Sequence, residues 1–221
     1  MIETGILFGD LHSFWDLDLI LSGVEIPPAS PKETFVDIPG ADGSVDMTEA
    51  HGEVKYADRT GAKFTFHMNP AGDLSEDAWE AKKKEISNRL NGQRCNITLD
   101  KDPDYYYQGR CTVDEYLSDK RIRQIVVTAR VRPYKFKQEE TVRIFMLSET
   151  AQTVRLRNSR KSVCPTITCT NDDCRIVFNS ASFVLSAGTH KILDICFTEG
   201  DNILELSGSG SVTFRFQECD L

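Results

Sequence analysis

No stretch of this chain approaches the ~20 consecutive apolar residues that a membrane-crossing helix needs, so a helical integral membrane protein is not expected. Positive charge is scarce too. The formal net charge is −8, with −6 before residue 136 and −2 after it. A nucleic-acid groove needs clustered Lys and Arg, so that class is disfavoured. There is no phosphate loop, dinucleotide fingerprint or H-E-x-x-H motif. The four histidines (His12, His51, His67, His190) are scattered, and none stands beside a nucleophile signature. At the start, MIETGILFGD carries Glu3 where a signal peptide needs Lys or Arg, and Gly9 and Asp10 break its apolar run. No signal peptide is expected. Internal repeats and low-complexity tracts are absent. The seven cysteines are an odd number, expected to stay reduced in a cytoplasm and to pack as small apolar groups.

What is present is ordinary globular composition: 221 residues, 40 % hydrophobic and 27 % charged. That is enough chain to bury a core without staples, in one or two domains. Strand signals dominate. Trp15, Leu17, Leu19 and Leu21 alternate with Asp16, Asp18 and Ile20, which predicts a strand with one wet face, ended by Pro27, Pro28 and Pro31. A turn is expected at Asp58–Gly61, then a strand carrying Phe64, Phe66 and Met68 on one face and broken by Asn69-Pro70-Ala71-Gly72. Further strands are expected at Asn96–Leu99, Tyr105–Val113 and Arg123–Val131, with Pro133 to Phe136 closing the last.

One helix is predicted over about Ser75–Leu90. Ser75 is a good N-cap, Glu76 and Asp77 suit the positive end of the helix dipole, and Trp79, Ile86 and Leu90 form one stripe before Asn91-Gly92 stops it. Lys82, Lys83 and Lys84 fall on its flanks as a solvated face. The polar run Lys137–Glu140 marks a domain boundary. The remaining residues show strand signals at roughly 10-residue spacing, as in a sandwich: Val154/Leu156, Ile176/Phe178, Leu193/Ile195/Phe197 and Val212/Phe214/Phe216.

Three constellations could carry chemistry, and each has a blander reading. Cys164, Cys169 and Cys174 have C-x4-C-x4-C spacing but lack a fourth zinc ligand. Cys169 and Cys174 read better as hairpin partners across the Asn171–Asp173 turn. Asp100, Asp102 and Asp104 before Tyr105, Tyr106 and Tyr107 could touch a sugar, but they also read as a charged hairpin tip leading into an aromatic strand. Arg155, Arg157, Arg160 and Lys161 read as a solvated strand edge. No catalytic, cofactor-binding or metal site is predicted.

The segment FVDIPGADGSVDMTE, Phe35 to Glu49, packs a Pro-Gly and an Asp-Gly between hydrophobic runs and predicts a protruding, turn-rich hairpin. It resembles the "PG-x-DG-x-D" signature of siphophage distal tail proteins. GILFGDLHSFWDLDL resembles the family's opening strand. Tyr56 and Arg59 resemble its "Y-x-x-R" pair, and Leu90-Asn91-Gly92 its "L-N-G" stop. Tyr107–Arg110 and Pro133–Lys135 resemble its "Y-x-G-R" and "P-Y-K" elements. More loosely, Pro165-Thr166-Ile167 and Gly200-Asp201-Asn202 resemble the "P-x-I … G-x-N" pattern of the family's galectin-like sandwich.

The resemblance implies a mainly β protein: a ring-forming N-terminal domain over 1–136, sandwich-like with one helix and a protruding hairpin, and a galectin-like β-sandwich over 137–221. It implies no catalysis. It implies a homo-hexameric ring at the virion tail tip, assembled in the bacterial host cytoplasm. The expected partners are the major tail tube protein, a tail-associated tip protein and a receptor-binding protein. The channel would pass the tape-measure protein and DNA, the DNA without specific binding. On charge grounds Asp16, Asp18, Asp46 and Glu49 are candidates either to line it or to keep the outer surface soluble. Pro39, Gly40, Asp42, Gly43 and Asp46 are the expected subunit-interface residues. The domain is too short for the inserted carbohydrate-binding module of longer relatives. The alternative reading is a free carbohydrate-binding β-sandwich protein.

Overall fold

Alternating apolar residues make strands over more than half of the computed structural model, which describes residues 5–50, 52–118 and 123–221. The chain divides into two units, one running to Lys135 and taking in Leu221, the other Phe136–Asp220.

The first unit contains β1 (Ile6–Phe8), β2 (Leu11–His12), β3 (Leu19–Glu25), β4 (Phe35–Asp37), β5 (Ser44–Asp46), β6 (Arg59–Met68), α1 (Glu76–Leu90), β7 (Arg94–Leu99), β8 (Asp102–Ser118) and all but the last two residues of β9 (Arg123–Lys137). The main sheet runs β2-β1-β7-β8-β9-β6-β3, while β4 and β5 form a sheet of their own. Its registers place Phe64 opposite Val127 and Phe66 opposite Ile125. With Ile6, Leu17, Leu19 and Ile97, these side chains bury one continuous core. Helix α1 closes that core with Trp79, Ile86 and Leu90, as the 3.6-residue stripe requires. Ser75 Oγ accepts from the Ala78 N–H and caps the helix. The Tyr116 hydroxyl meets Ser87 Oγ at 2.7 Å and the Lys83 carbonyl at 2.9 Å, tying α1 to β8.

The second unit contains β10 (Thr141–Met146), β11 (Gln152–Asn158), β12 (Thr166–Cys169), β13 (Cys174–Phe178), β14 (Ala181–Leu185), β15 (Gly188–Lys191), β16 (Gly200–Ser207) and β17 (Ser211–Phe216). Two four-stranded sheets, β10-β17-β12-β15 and β11-β16-β13-β14, contribute Ile167, Phe214, Ile176, Leu204 and Leu206 to one core around Phe197. The buried Asn202 pins the turn before β16. Its side-chain amide donates to the Thr198 carbonyl at 2.9 Å, and its oxygen accepts from the Thr198 N–H at 2.9 Å.

Several local readings are corrected. Trp15 to Asp18 is not strand: Ser13–Leu17 is a turn, and β3 starts at Leu19. His12 Nδ1 accepts from the Phe14 and Trp15 N–H groups and Asp16 accepts from the His12 N–H, so side chains capture the backbone that a strand would need. Trp15 is left 70 % exposed. The expected turn at Asp58–Gly61 is a bulge inside β6: Arg59 pairs with Val131 and Ala62 with Ala129, and Gly61 takes φ 83° for the extra residue.

The β7–β8 tip is Asp100-Lys101, with Asp102–Asp104 already in strand. β9 runs past Pro133, which lies beyond the last β6 partner, so its missing N–H costs no ladder bond there. Cys169 and Cys174 are not hairpin partners, because β12 and β13 belong to different sheets. Leu193 is in a turn and 77 % exposed, while Ile195 and Phe197 are buried without a regular strand.

Candidate subunit-contact site

The hairpin grows from a short stem. Pro31 bridges Tyr56, the Lys32 N–H donates to the Lys55 carbonyl at 2.7 Å, and the Ala57 N–H to the Ser30 carbonyl at 2.8 Å. Beyond it, Phe35 pairs with Asp46, Val36 with Val45 and Asp37 with Ser44. The Ala41 N–H closes a turn onto the Ile38 carbonyl at 3.1 Å, with Pro39 and Gly40 at its centre. Pro39 presets φ, and Gly40 at φ 84° meets the left-handed requirement of a type II turn. Gly43, at φ 75°, leads into β5. Asp37 accepts from Ser44 Oγ at 2.5 Å. The side chain and N–H of Thr48 hold the Asp46 carboxyl below the ordinary carboxylate range.

All five expected interface residues, Pro39, Gly40, Asp42, Gly43 and Asp46, are exposed on this one hairpin. The sequence reading missed its apolar face. Opposite pairing and period-2 spacing put Val36, Ile38, Val45 and Met47 on one side, and all four are exposed. Asp37 and Asp46 lie on the other side with Phe35, which is 56 % exposed. The signal was present in V-x-I and V-x-M. A two-stranded hairpin with open apolar side chains is marginal in water and gains by being covered.

No family model matches this sequence, and no curated protein does. Among solved structures, the chain is similar to the Dit protein of phage SPP1, described as a paradigm of the hub adsorption apparatus in phages that infect Gram-positive bacteria. The TM-score is 0.71 at 14 % identity, covering 99 % of each chain. The fold is Dit-like.

Within this Dit-like fold, three of the short motifs meet in space. Arg59 is buried, donating from Nε to the Pro133 carbonyl at 2.9 Å and from Nη1 to the Pro27 carbonyl at 3.0 Å. Its guanidinium lies 5.6 Å from the Tyr107 ring centre, and Tyr56 packs edge-on against Tyr134 at 5.9 Å. A Cβ on Gly109 would come within 2.6 Å of Val131 Cγ1, so β8 and β9 approach closely only with glycine there.

The other constellations are drawn into structural contacts. Asp100 accepts from the Gly5 N–H and pairs with His12, and Asp102 pairs with Lys135 at 2.7 Å. Lys82 and Lys83 pair with Glu85 and Glu80. Arg155 and Arg160 pair with Asp201 and Glu199. Cys164 lies against Cys196, sulfur to sulfur 2.7 Å. Burial, then Cys169, push the Cys174 thiol up to about 12. Cys95 and Cys111 form another close pair at 3.7 Å; the hydrogen bond from Cys111 lowers Cys95, and the same bond raises Cys111. Among the described residues no three His, Cys, Asp or Glu side chains gather for a metal ion. Glu3 and His51 lie outside the described residues.

Proposed function

We propose that this chain is a distal tail protein of a long, non-contractile phage or prophage tail. Copies form a homo-hexameric ring that joins the tail tube to the tail-tip adhesion machinery and leaves a channel for DNA and the tape-measure protein. The observation that carries this reading is the Dit-like fold along 99 % of both chains.

In this reading residues 1–136 form the ring and residues 137–221 a galectin-like sandwich facing outward partners. Those partners are the major tail tube protein, a tail-associated tip protein and a receptor-binding protein. The chain works at the virion tail tip after assembly in the host cytoplasm, and the role needs no catalytic step. The open hairpin supplies the contact between subunits. Tyrosines and carboxylates at the β7–β8 end do not favour the lectin reading, because Asp100 and Asp102 are engaged within the chain.

The test is size-exclusion chromatography with light scattering across a concentration series, followed by negative-stain imaging. Particles of six times 24.9 kDa with a central hole are expected. A chain that stays monomeric at every concentration and binds on a glycan array would overturn the reading.

A further inference from the structure

The main sheet carries a basic concavity that the overall acidity conceals. Across β6, β7, β8 and β9, Arg94, Arg110, Arg130 and Arg132 line an open hollow on the solvent face. A single acid, Asp58, lines it with them. Asp58 pairs with Arg130 at 3.0 Å, and both are well exposed. Arg94 donates to Gln108 Oε1 and Arg110 to the Gly92 carbonyl, both neutral acceptors. Among the described residues Arg132 meets no acceptor. Among the described residues three of these guanidiniums are therefore left without a carboxylate, in a chain of net charge −8. The floor is low because Gly61, at the β6 bulge, bears no side chain and a Cβ there would meet nothing within 4 Å.

The molecule also displays the complementary shape and charge. Residues 33–49 hold Glu33, Asp37, Asp42, Asp46 and Glu49 and no Lys or Arg. All five acids are exposed, on or beside a two-stranded sheet that pairs with no other strand among the described residues. None of these residues lines the arginine hollow of its own chain.

We propose that the arginine-lined hollow of β6–β9 receives the acidic hairpin of a second copy of this chain. Two different surfaces then meet head to tail, and such a heterologous contact, repeated with rotation, closes a ring. Guanidiniums suit the task because they bind carboxylates in a planar, two-pronged geometry and are weakly hydrated. The inference rests on the self-association proposed above and states which surface the hairpin meets.

The test uses the full chain and two charge-reversed variants. One carries Arg94→Glu with Arg132→Glu, the other Asp42→Arg with Glu49→Arg. The Arg132, Asp42 and Glu49 side chains make no hydrogen bond or ion pair among the described residues, and Arg94 makes one exposed bond, to Gln108, so melting temperatures close to the parent are expected. Self-association is read by sedimentation at low and high salt. Each variant alone should associate at least about tenfold more weakly than the parent, as close interfacial charge pairs predict. Mixing the two should restore association, because each reversed surface then meets an opposite charge on the other chain. Association of the arginine variant at parental strength would overturn the inference while leaving the hexamer reading intact. Loss without rescue on mixing would also overturn it. Salt-sensitive binding of duplex DNA by the parent, lost in the arginine variant whose association is unchanged, would assign the hollow to phosphates instead. A parent that never associates removes both readings together.

Discussion

At the scale of single residues, the polar side chains that matter most are those that sequence separation hides. Glu218, its side chain 10 % exposed, accepts from Lys137 Nζ at 2.7 Å, Ser159 Oγ at 2.6 Å and Thr141 Oγ1 at 2.5 Å. Burial is the largest single influence on its carboxyl and would raise it. The hydrogen bonds from Lys137, Ser159 and Thr141 together outweigh burial and hold the group below its ordinary 4.5. A depressed folded-state value means stability that is present above pH 4.5 and is lost as pH falls through the folded value. Glu218→Gln should therefore lower the stability of the second unit by about 2 kcal/mol near neutral pH. Below pH 4.5 the gap to the parent should shrink. Urea unfolding of both proteins across that range measures it; a pH-independent gap would contradict the assigned role.

At the scale of elements, what could be read from sequence depended on how local the determining contacts are. Helix α1 was legible because Ser75, its acidic first turn and the Trp79–Ile86–Leu90 stripe all act within one stretch of chain. The misread elements share one cause, that a pattern of residue types is compatible with two backbones. Alternation at Trp15–Leu21 looks like strand until His12 and Asp16 take the backbone N–H groups. Asp58–Gly61 looks like a turn, yet the same glycine serves a bulge. The hairpin was legible through Pro39, Gly40 and Gly43. Gly40 has open space around its Cβ position, so only the positive φ resists a side chain. Gly40→Val should cost about 1–2 kcal/mol of local strain. Because the hairpin lies outside both cores, that cost should appear as weaker self-association with little change in melting temperature. Parental behaviour in sedimentation would remove the hairpin from the contact.

At the scale of the whole molecule, the two cores share no residue: Phe64, Phe66 and Trp79 belong to one and Phe197, Phe214 and Leu204 to the other. Phe214→Ala should remove about 3–5 kcal/mol from the second unit. Amide exchange should accelerate across β10–β17 while β6, β7 and α1 keep their protection. Equal loss in both units would show that they unfold as one.

The sequence by itself determined the β-rich class, the single capped helix, the turn chemistry of the hairpin and the alternating faces of most strands. All of these follow from backbone preference and side-chain period within a few residues. Tertiary structure decided where distant residues meet. It brought Arg59 to carbonyls 32 and 74 positions away, set Cys164 against Cys196, and gathered four arginines from three strands of an acidic chain into one hollow. Net charge and spacing average over the chain, whereas a site depends on strand order and register, and long-range pairing sets those.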